Sequence, residues 1–422
     1  MAILYNIAEA VQQSEFNVLQ ESFKVNANNI DELWKSKSYI DRLFKIETMT
    51  TFMEEERSSN QMNGFDATED GETFLLDDDV EGNRKRFYTQ IWTSGYKITR
   101  QTIEDQQFDG ARRKHEKFLD SYYRTKEYYA AAVYSGAYLG SFFFGMKSDK
   151  KKQFDMKGRD TVDGTIDGQK QIYFHRNHIS SVIASRIQSN KFYSNIDWTA
   201  GLGTIVEQTR IVLNKLAEIM TNFTDDKGNK LNLQPRQIVV GDFNWARELF
   251  GMIFGTDKNE YFGTNAKLIR PSGLNIESIV FSPYLGGLPG FEPNKPAFIL
   301  QDTEANGDYR GFVWKNRLDL EIKSYLIDDN DVNVTKGRSR FGAAVNDFRS
   351  NIYCVLTDVA TPPANWVMPG DINDATTYVE LTPKVDFQLL STSIPINPVK
   401  VEAKIVETEV IKTKAATKVE TV

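Results

Sequence analysis

Residues 102–136 read "TIEDQQFDGARRKHEKFLDSYYRTKEYYAAAVYSG", and the period of this stretch decides how the rest of the chain is organised. Phe108, Ala111, His115, Phe118, Tyr122, Tyr129 and Val133 recur at three- and four-residue steps, with one turn skipped at Lys126. That spacing lines one face of an amphipathic helix. Thr102 followed by Asp105 matches an N-terminal capping pattern, and Gly136 supplies a stop. The predicted helix has about thirty residues, ~45 Å at 1.5 Å per residue, where a globular helix averages ~11–12. The uncharged run "YYAAAVYSGAYLGSFFFGM" (128–146) is broken by Gly136, Gly140 and Gly145. A bilayer-spanning helix needs ~20 mostly apolar residues. The run therefore reads as a helix end passing into a buried strand, in a soluble protein without a membrane partner.

Upstream of the helix the composition changes. "ETMTTFMEEERSSNQMNGFDATEDGETFLLDDDVEGNR" (47–84) is strongly acidic and contains no lysine, with Gly64, Gly71 and Gly82 at turn positions. With "RFYTQIWTSGYKIT" on the return, residues 46–101 read as a long exposed β-hairpin, which would be marginal in water by itself. Residues 1–45 alternate short amphipathic pieces with polar breaks and read as an arm. No secretory signal is expected from "MAILYNIAEAVQQSEF".

Downstream, 141–200 is rich in hairpin signals. "GLGTIVEQTRIVLNKLAEIMTNF" predicts a second helix, "RQIVV" a short buried strand, and "GDFNWARELFGMIF" a third helix capped by Asp242 or Asn244. "GFVWKNRLDLEIKSYLI" and "RSRFGAAVNDFRSNIYCVLTD" alternate as strands, with a turn expected at Asn346-Asp347. The fold class is α+β. The 422 residues can bury a sizeable core. A net charge of −7 argues against a surface built to neutralise phosphates. A single cysteine, Cys354, excludes an internal disulfide framework and suits a reducing compartment.

No catalytic constellation is legible. His175 and His178 form an H-x-x-H, but "QIYFH" points to a strand, where positions three apart face opposite sides, and zinc needs further ligands. Asp160, Asp163 and Asp167 lack the alternate spacing of a calcium loop, and Asp163-Gly164 and Asp167-Gly168 are explained as tight turns. "GLGTIV" lacks the third glycine of a dinucleotide fingerprint. Neither an enzymatic activity nor a cofactor is expected.

The order of these elements resembles the major capsid proteins of tailed bacteriophages of the Hong Kong 97 type. The matching segments are the opening stretch, "DGQKQIYFHRNH", "LNKLAEIMTNFTDDKGNKLNLQPRQIVVGDFNWARELF" and "KGRSRFGAAVNDFRSNIYC". The resemblance implies an N-terminal arm (1–45), an extended hairpin loop (46–101) and a peripheral domain with a long spine helix (102–200). An axial domain (201–308), return strands of the peripheral domain (309–362) and a C-terminal extension (363–422) would follow. The implied function is a shell of hexamers and pentamers of this chain. The shell would enclose double-stranded DNA, contacted on its inner face without sequence specificity. It would be assembled in the host bacterial cytoplasm and become part of the virion. Portal and decoration proteins are implied as partners. A scaffolding segment ahead of the arm is missing, so a separate scaffolding protein is expected. Cross-linking through a loop lysine is not expected, because no lysine lies between Lys45 and Lys85. An encapsulin-like compartment shell, which shares that fold, is the alternative. A tail-tube subunit would not need the long helix, and a metal-dependent hydrolase would have to use His175 and His178.

In this reading the contact residues belong to the hairpin. Glu54, Glu55, Glu56, Asp77, Asp78, Asp79 and Glu81 have few basic residues near them in sequence. The expectation is that they meet a neighbouring subunit, with Arg112, Arg113 and Lys114 as first candidates. Phe65, Phe74 and Leu75 would anchor the contact by apolar burial.

Overall fold

A single 32-residue helix, α1 (Phe108–Leu139), organises the chain around it. The computed structural model describes residues 30–59, 81–99, 101, 102, 105, 108–145, 151–161, 170–175, 178–180, 187–196, 198, 201–254, 274, 276–292, 296–327, 332–357 and 379–381. Before α1, a helical stretch over 30–37 and one turn at Ile40–Leu43 lead into β1 (Lys45–Thr48), β2 (Met53–Ser59), β3 (Glu81–Tyr88) and β4 (Gln90–Thr99). After it come β5 (Ser141–Phe144), β6 (Lys152–Asp155), β7 (Lys157–Thr161), β8 (Lys170–Ile172), β9 (His178–Ile179), β10 (Ile187–Gln188) and β11 (Lys191–Asn195). Then follow α2 (Leu202–Thr221), β12 (Gln237–Gly241), α3 (Asn244–Phe254), β13 (Ser278–Ser282) and β14 (Ala297–Gln301). A short α4 (Thr303–Asp308) precedes β15 (Phe312–Ile327), β16 (Val332–Val345), β17 (Asn351–Thr357) and β18 (Val379–Leu381).

The predicted apolar face of α1 is the buried one: Ala111, His115, Phe118, Tyr129 and Val133 are all within 7% of full burial. It packs on one face of a four-stranded sheet ordered β1-β15-β16-β4. There Trp92 and Trp314 stack on Phe341 at 4.9 and 5.1 Å between ring centroids, and Tyr122 Oη lies 3.3 Å from Ser339 Oγ. The 30–37 stretch lies against the same helix: the Trp34 indole donates to Asp120 (3.0 Å) and the Ser38 hydroxyl to Glu127 (2.6 Å).

The C-terminal end of α1 differs from the sequence expectation. At the other end Gln101 and Thr102 are helical, and the hydroxyl of Thr102 lies 2.9 Å from that of Thr99. Asp109 supplies the acidic residue of the first turn, where the helix dipole favours it. Gly136 lies inside the helix. A Cβ there would stand 2.4 Å from Phe142 Cδ1 and 2.8 Å from Met156 Cγ, so the glycine permits close packing and does not end the helix. The stop is Gly140, whose φ of +84° only glycine adopts freely.

A second, six-stranded sheet is ordered β13-β12-β14-β17-β11-β18. β12 and β14 are buried along their whole length, as central strands covered on both faces are. Asn346-Asp347 is not a hairpin turn. There the chain leaves β16 and crosses into the other sheet, where β17 pairs with β14 and β11. The crossing is held by Arg349, wholly buried, whose guanidinium bonds the Asp347 carboxylate (2.9 Å), the Asp226 carboxylate (2.5 Å) and the Thr224 carbonyl (2.8 Å). Burial works against the Arg349 charge, and the two carboxylates outweigh it and hold the group ionised. Cys354, on β17, is fully buried, and burial pushes its thiol far above the ordinary range.

Candidate subunit-contact site at the root of the hairpin

The acidic hairpin is seen at its root, where β2 and β3 pair antiparallel with Glu54 opposite Phe87, Glu55 opposite Arg86 and Glu56 opposite Lys85. Strand alternation sends Glu54 and Glu56 to one face and Glu55 to the other. Glu55 meets Arg86 Nε at 2.7 Å and Arg84 Nη1 at 3.7 Å. Glu54 and Glu56 converge on Lys315 of β15. Its side chain is 3% exposed, and its ammonium donates to Glu47 (2.6 Å), Glu54 (3.0 Å) and Glu56 (3.1 Å). Arg310 donates to Glu47 through Nε (3.1 Å), and its Nη1 lies 2.7 Å from the second Glu56 oxygen, an ion-pair contact off the hydrogen-bond line.

Beneath these charges the root is apolar. Phe87, Val313 and Ala344 form a small buried cluster, and the Lys315 ammonium stands 4.9 Å above the Phe87 ring. The sequence "FVWK" buries both faces of β15: Phe312 and Trp314 enter the main core, and Val313 and Lys315 lie under the hairpin. Burial opposes the charge of Lys315, and its bonds to Glu47, Glu54 and Glu56 more than offset it, so the ammonium is held above its usual range. Glu47 is likewise opposed by burial and then drawn below the usual carboxylate range by Lys315 and Arg310.

Glu54 and Glu56, with few basic residues near them in sequence, find non-local partners: Lys315 and Arg310 are some 250 residues away in the chain, while Glu55 is met by Arg84 and Arg86 of the return strand. The alternating FVWK burial was the available signal, because a lysine between two buried positions needs a counter-charge. Phe65, Phe74, Leu75, Asp77, Asp78 and Asp79 lie outside the described residues, as do the turn glycines Gly164 and Gly168. Arg112, Arg113 and Lys114 are exposed in the second turn of α1, and Arg112 makes a loose 3.9 Å pair with the exposed Asp109. Cations there run against the helix dipole.

The two histidines do come together, their rings 5.9 Å apart, because His175 has left β8 before the chain enters β9. His178 stacks on Phe348 at 3.6 Å, and its Nε2 lies 2.9 Å from the Asn190 amide oxygen, which also accepts from the His175 backbone N–H. Among the described residues no group of three or more His, Cys, Asp or Glu is placed to hold a metal. No described helix is long and apolar enough to cross a bilayer.

No family model and no curated protein matches the chain. Among solved structures it is similar to the virus-like particle from Pyrococcus furiosus, at 7% identity and a TM-score of 0.38, over 80% of this chain and 98% of that one. It is similar to the capsid of the cyanophage P-SCSP1u at 10% identity and a TM-score of 0.42, over 76% and 89%. A third is the procapsid of satellite phage P4 with its size-determination protein, at 11% identity and a TM-score of 0.36, over 78% and 99%.

Proposed function

We propose that this chain is the major capsid protein of a tailed bacteriophage, a structural subunit that tiles a closed shell with copies of itself. The observation that carries the reading is the contrast between the hairpin's root and its continuation. At the root every glutamate of "EEE" is matched within the chain. Residues 60–80, which join β2 to β3, hold seven acidic residues and no basic one. A segment with that much unbalanced charge repels itself, and gains by lying on a neighbour with the opposite sign.

The long helix on its sheet, with the hairpin rooted on that sheet, suits the peripheral part of such a subunit. The six-stranded sheet with α2 and α3 suits the axial part around a capsomer centre. Head-to-tail contacts of this kind close into hexamers and pentamers. Arg112, Arg113 and Lys114 face outwards and serve as contacts to an acidic surface of an adjacent copy. A scaffolding protein, a portal, decoration proteins and packaged DNA are the further partners of a virion shell built in a bacterial cytoplasm. The side chains carry no chemical step in this role.

Size-exclusion chromatography with negative-stain microscopy tests the proposal. Purified protein should form closed, uniform shells, on its own or with a scaffolding protein. Tubes or small oligomers under both conditions would exclude it, and shells that retain a cargo enzyme would move the reading to a compartment of the encapsulin kind.

A further inference from the structure

Lys126 interrupts the apolar stripe of α1, and its ammonium stands among three aromatic rings. The ring centres of Tyr122 and Trp314 lie 5.6 Å from it, and that of Phe341 lies 5.9 Å away. The side chain is partly buried. Its nitrogen makes no hydrogen bond or ion pair among the described residues, and it is still reached by solvent. The place is a joint. Trp314 and Phe341 belong to the four-stranded sheet, and residues 31–44 cross α1 beside Lys126, where Ser38 and the Tyr39 N–H both bond Glu127.

The charges that act most on Lys126 are carboxylates: Asp319 on β15, Asp41 and Asp31 on the crossing segment, and Glu127, its neighbour on α1. Each favours the ammonium. The rings favour it too, but they stand near the ~6 Å limit at which a ring holds a cation. Burial outweighs both and draws the Lys126 amine below the usual lysine range. Lysine, unlike arginine, gives up its proton when desolvated.

We propose that Lys126 is a site of covalent acylation, whose substrates are activated acyl groups: acyl phosphates or acyl thioesters. The nitrogen lone pair attacks the acyl carbon and a C–N amide bond forms. The bond from that carbon to the phosphate oxygen or thiolate sulfur breaks, and phosphate or thiolate leaves with the electron pair. The nitrogen sheds one proton to solvent. Two features favour this chemistry over the binding of an anion. A bound anion would face the four carboxylates. An acyl group instead removes the charge that burial opposes and lays its apolar part against the three rings. The proposal does not depend on the shell reading. It assigns the joint between the crossing segment, α1 and the sheet a charge that a metabolite can remove.

The test treats the full-length protein with acetyl phosphate and, in a parallel arm, with acetyl-coenzyme A. Initial acetylation rates at each lysine are read by peptide mass spectrometry over a pH series, and thermal melting checks the fold. Lys126 should acetylate about fivefold faster than Lys114, which is exposed on the same helix. Its rate should level off at lower pH than that of Nα-acetyl-lysine amide. Faster labelling in either arm supports the site and identifies the donor. The surface substitution Asp319→Asn removes the strongest of the four negative charges, and should speed Lys126 about two- to threefold relative to Lys114. In denaturing urea the advantage of Lys126 should vanish. The proposal is overturned if Lys126 acetylates no faster than Lys114 in both arms, or if its pH profile follows that of the free amide. It is equally overturned if Asp319→Asn leaves the rate unchanged, or if the advantage persists in urea.

Discussion

Lys315 occupies a buried strand position where an apolar residue would ordinarily sit, and it holds three carboxylates together. Replacing it with methionine leaves Glu47, Glu54 and Glu56 facing one another with Arg310 alone, which should destabilise the fold by about 2–4 kcal/mol in denaturant titration. The same cluster sets a pH window. Glu47 is depressed, so its contribution is complete above the unfolded carboxylate range of ~4.3 and is lost as pH falls through its lower folded value. Lys315 is raised, so its contribution is complete below ~10.4 and is lost as pH rises through its higher folded value. Amide exchange at β2 and β3, corrected for intrinsic rates, should be slowest between these limits and accelerate first below about pH 4. Gly136→Ala should lower stability by about 1–3 kcal/mol despite alanine's higher helix propensity, because the added methyl meets Phe142 and Met156. A melting temperature equal to wild type would refute that. Composition alone makes a glycine here look like a helix end. The side chains that require it, Phe142 on β5 and Met156 between β6 and β7, leave no mark on the local period.

At the scale of elements, what repeats locally was legible. The face of α1 and most of that of α2 follow from a 3.6 period, although Leu202 at the start of α2 is exposed, and β12 follows from an uninterrupted apolar run within a short window. The turn at "DDKGNKL" also follows local chemistry: Asp225 accepts from the backbone N–H groups of Gly228 (2.6 Å) and Asn229 (2.7 Å), and Gly228 takes a φ of +108°. Strand partners are set by long-range packing, so the crossing at Asn346-Asp347 looked like a hairpin turn. "ND" suits either, and only the burial of Arg349 against Asp226, more than a hundred residues away, decides it. Arg349→Met leaves Asp347 and Asp226 buried without their counter-charge, and should cost about 3–5 kcal/mol in urea unfolding. Retention of wild-type stability would mean that the crossing is held by backbone pairing alone.

For the whole molecule, element order carried the resemblance, and the candidate contact surface was only half visible. The acidity of the hairpin could be read directly. That Glu54 and Glu56 are answered within the chain could not, because Lys315 and Arg310 become neighbours only when β15 packs beneath β3. Exposed ion pairs contribute ~0–1 kcal/mol each and weaken with salt. In the proposed shell, apolar burial by residues such as Phe65 and Phe74 should therefore dominate assembly. Raising salt is expected to shift the protein concentration needed for assembly by less than replacing either phenylalanine with serine, as light scattering can measure.

The inert setting of Cys354 has a practical consequence. Buried between two strands and with its thiol far from ionising, it should ignore maleimide reagents under native conditions. A cysteine introduced on the surface would then be the chain's sole labelling handle without prior removal of the native one, and fluorophores could be attached stoichiometrically.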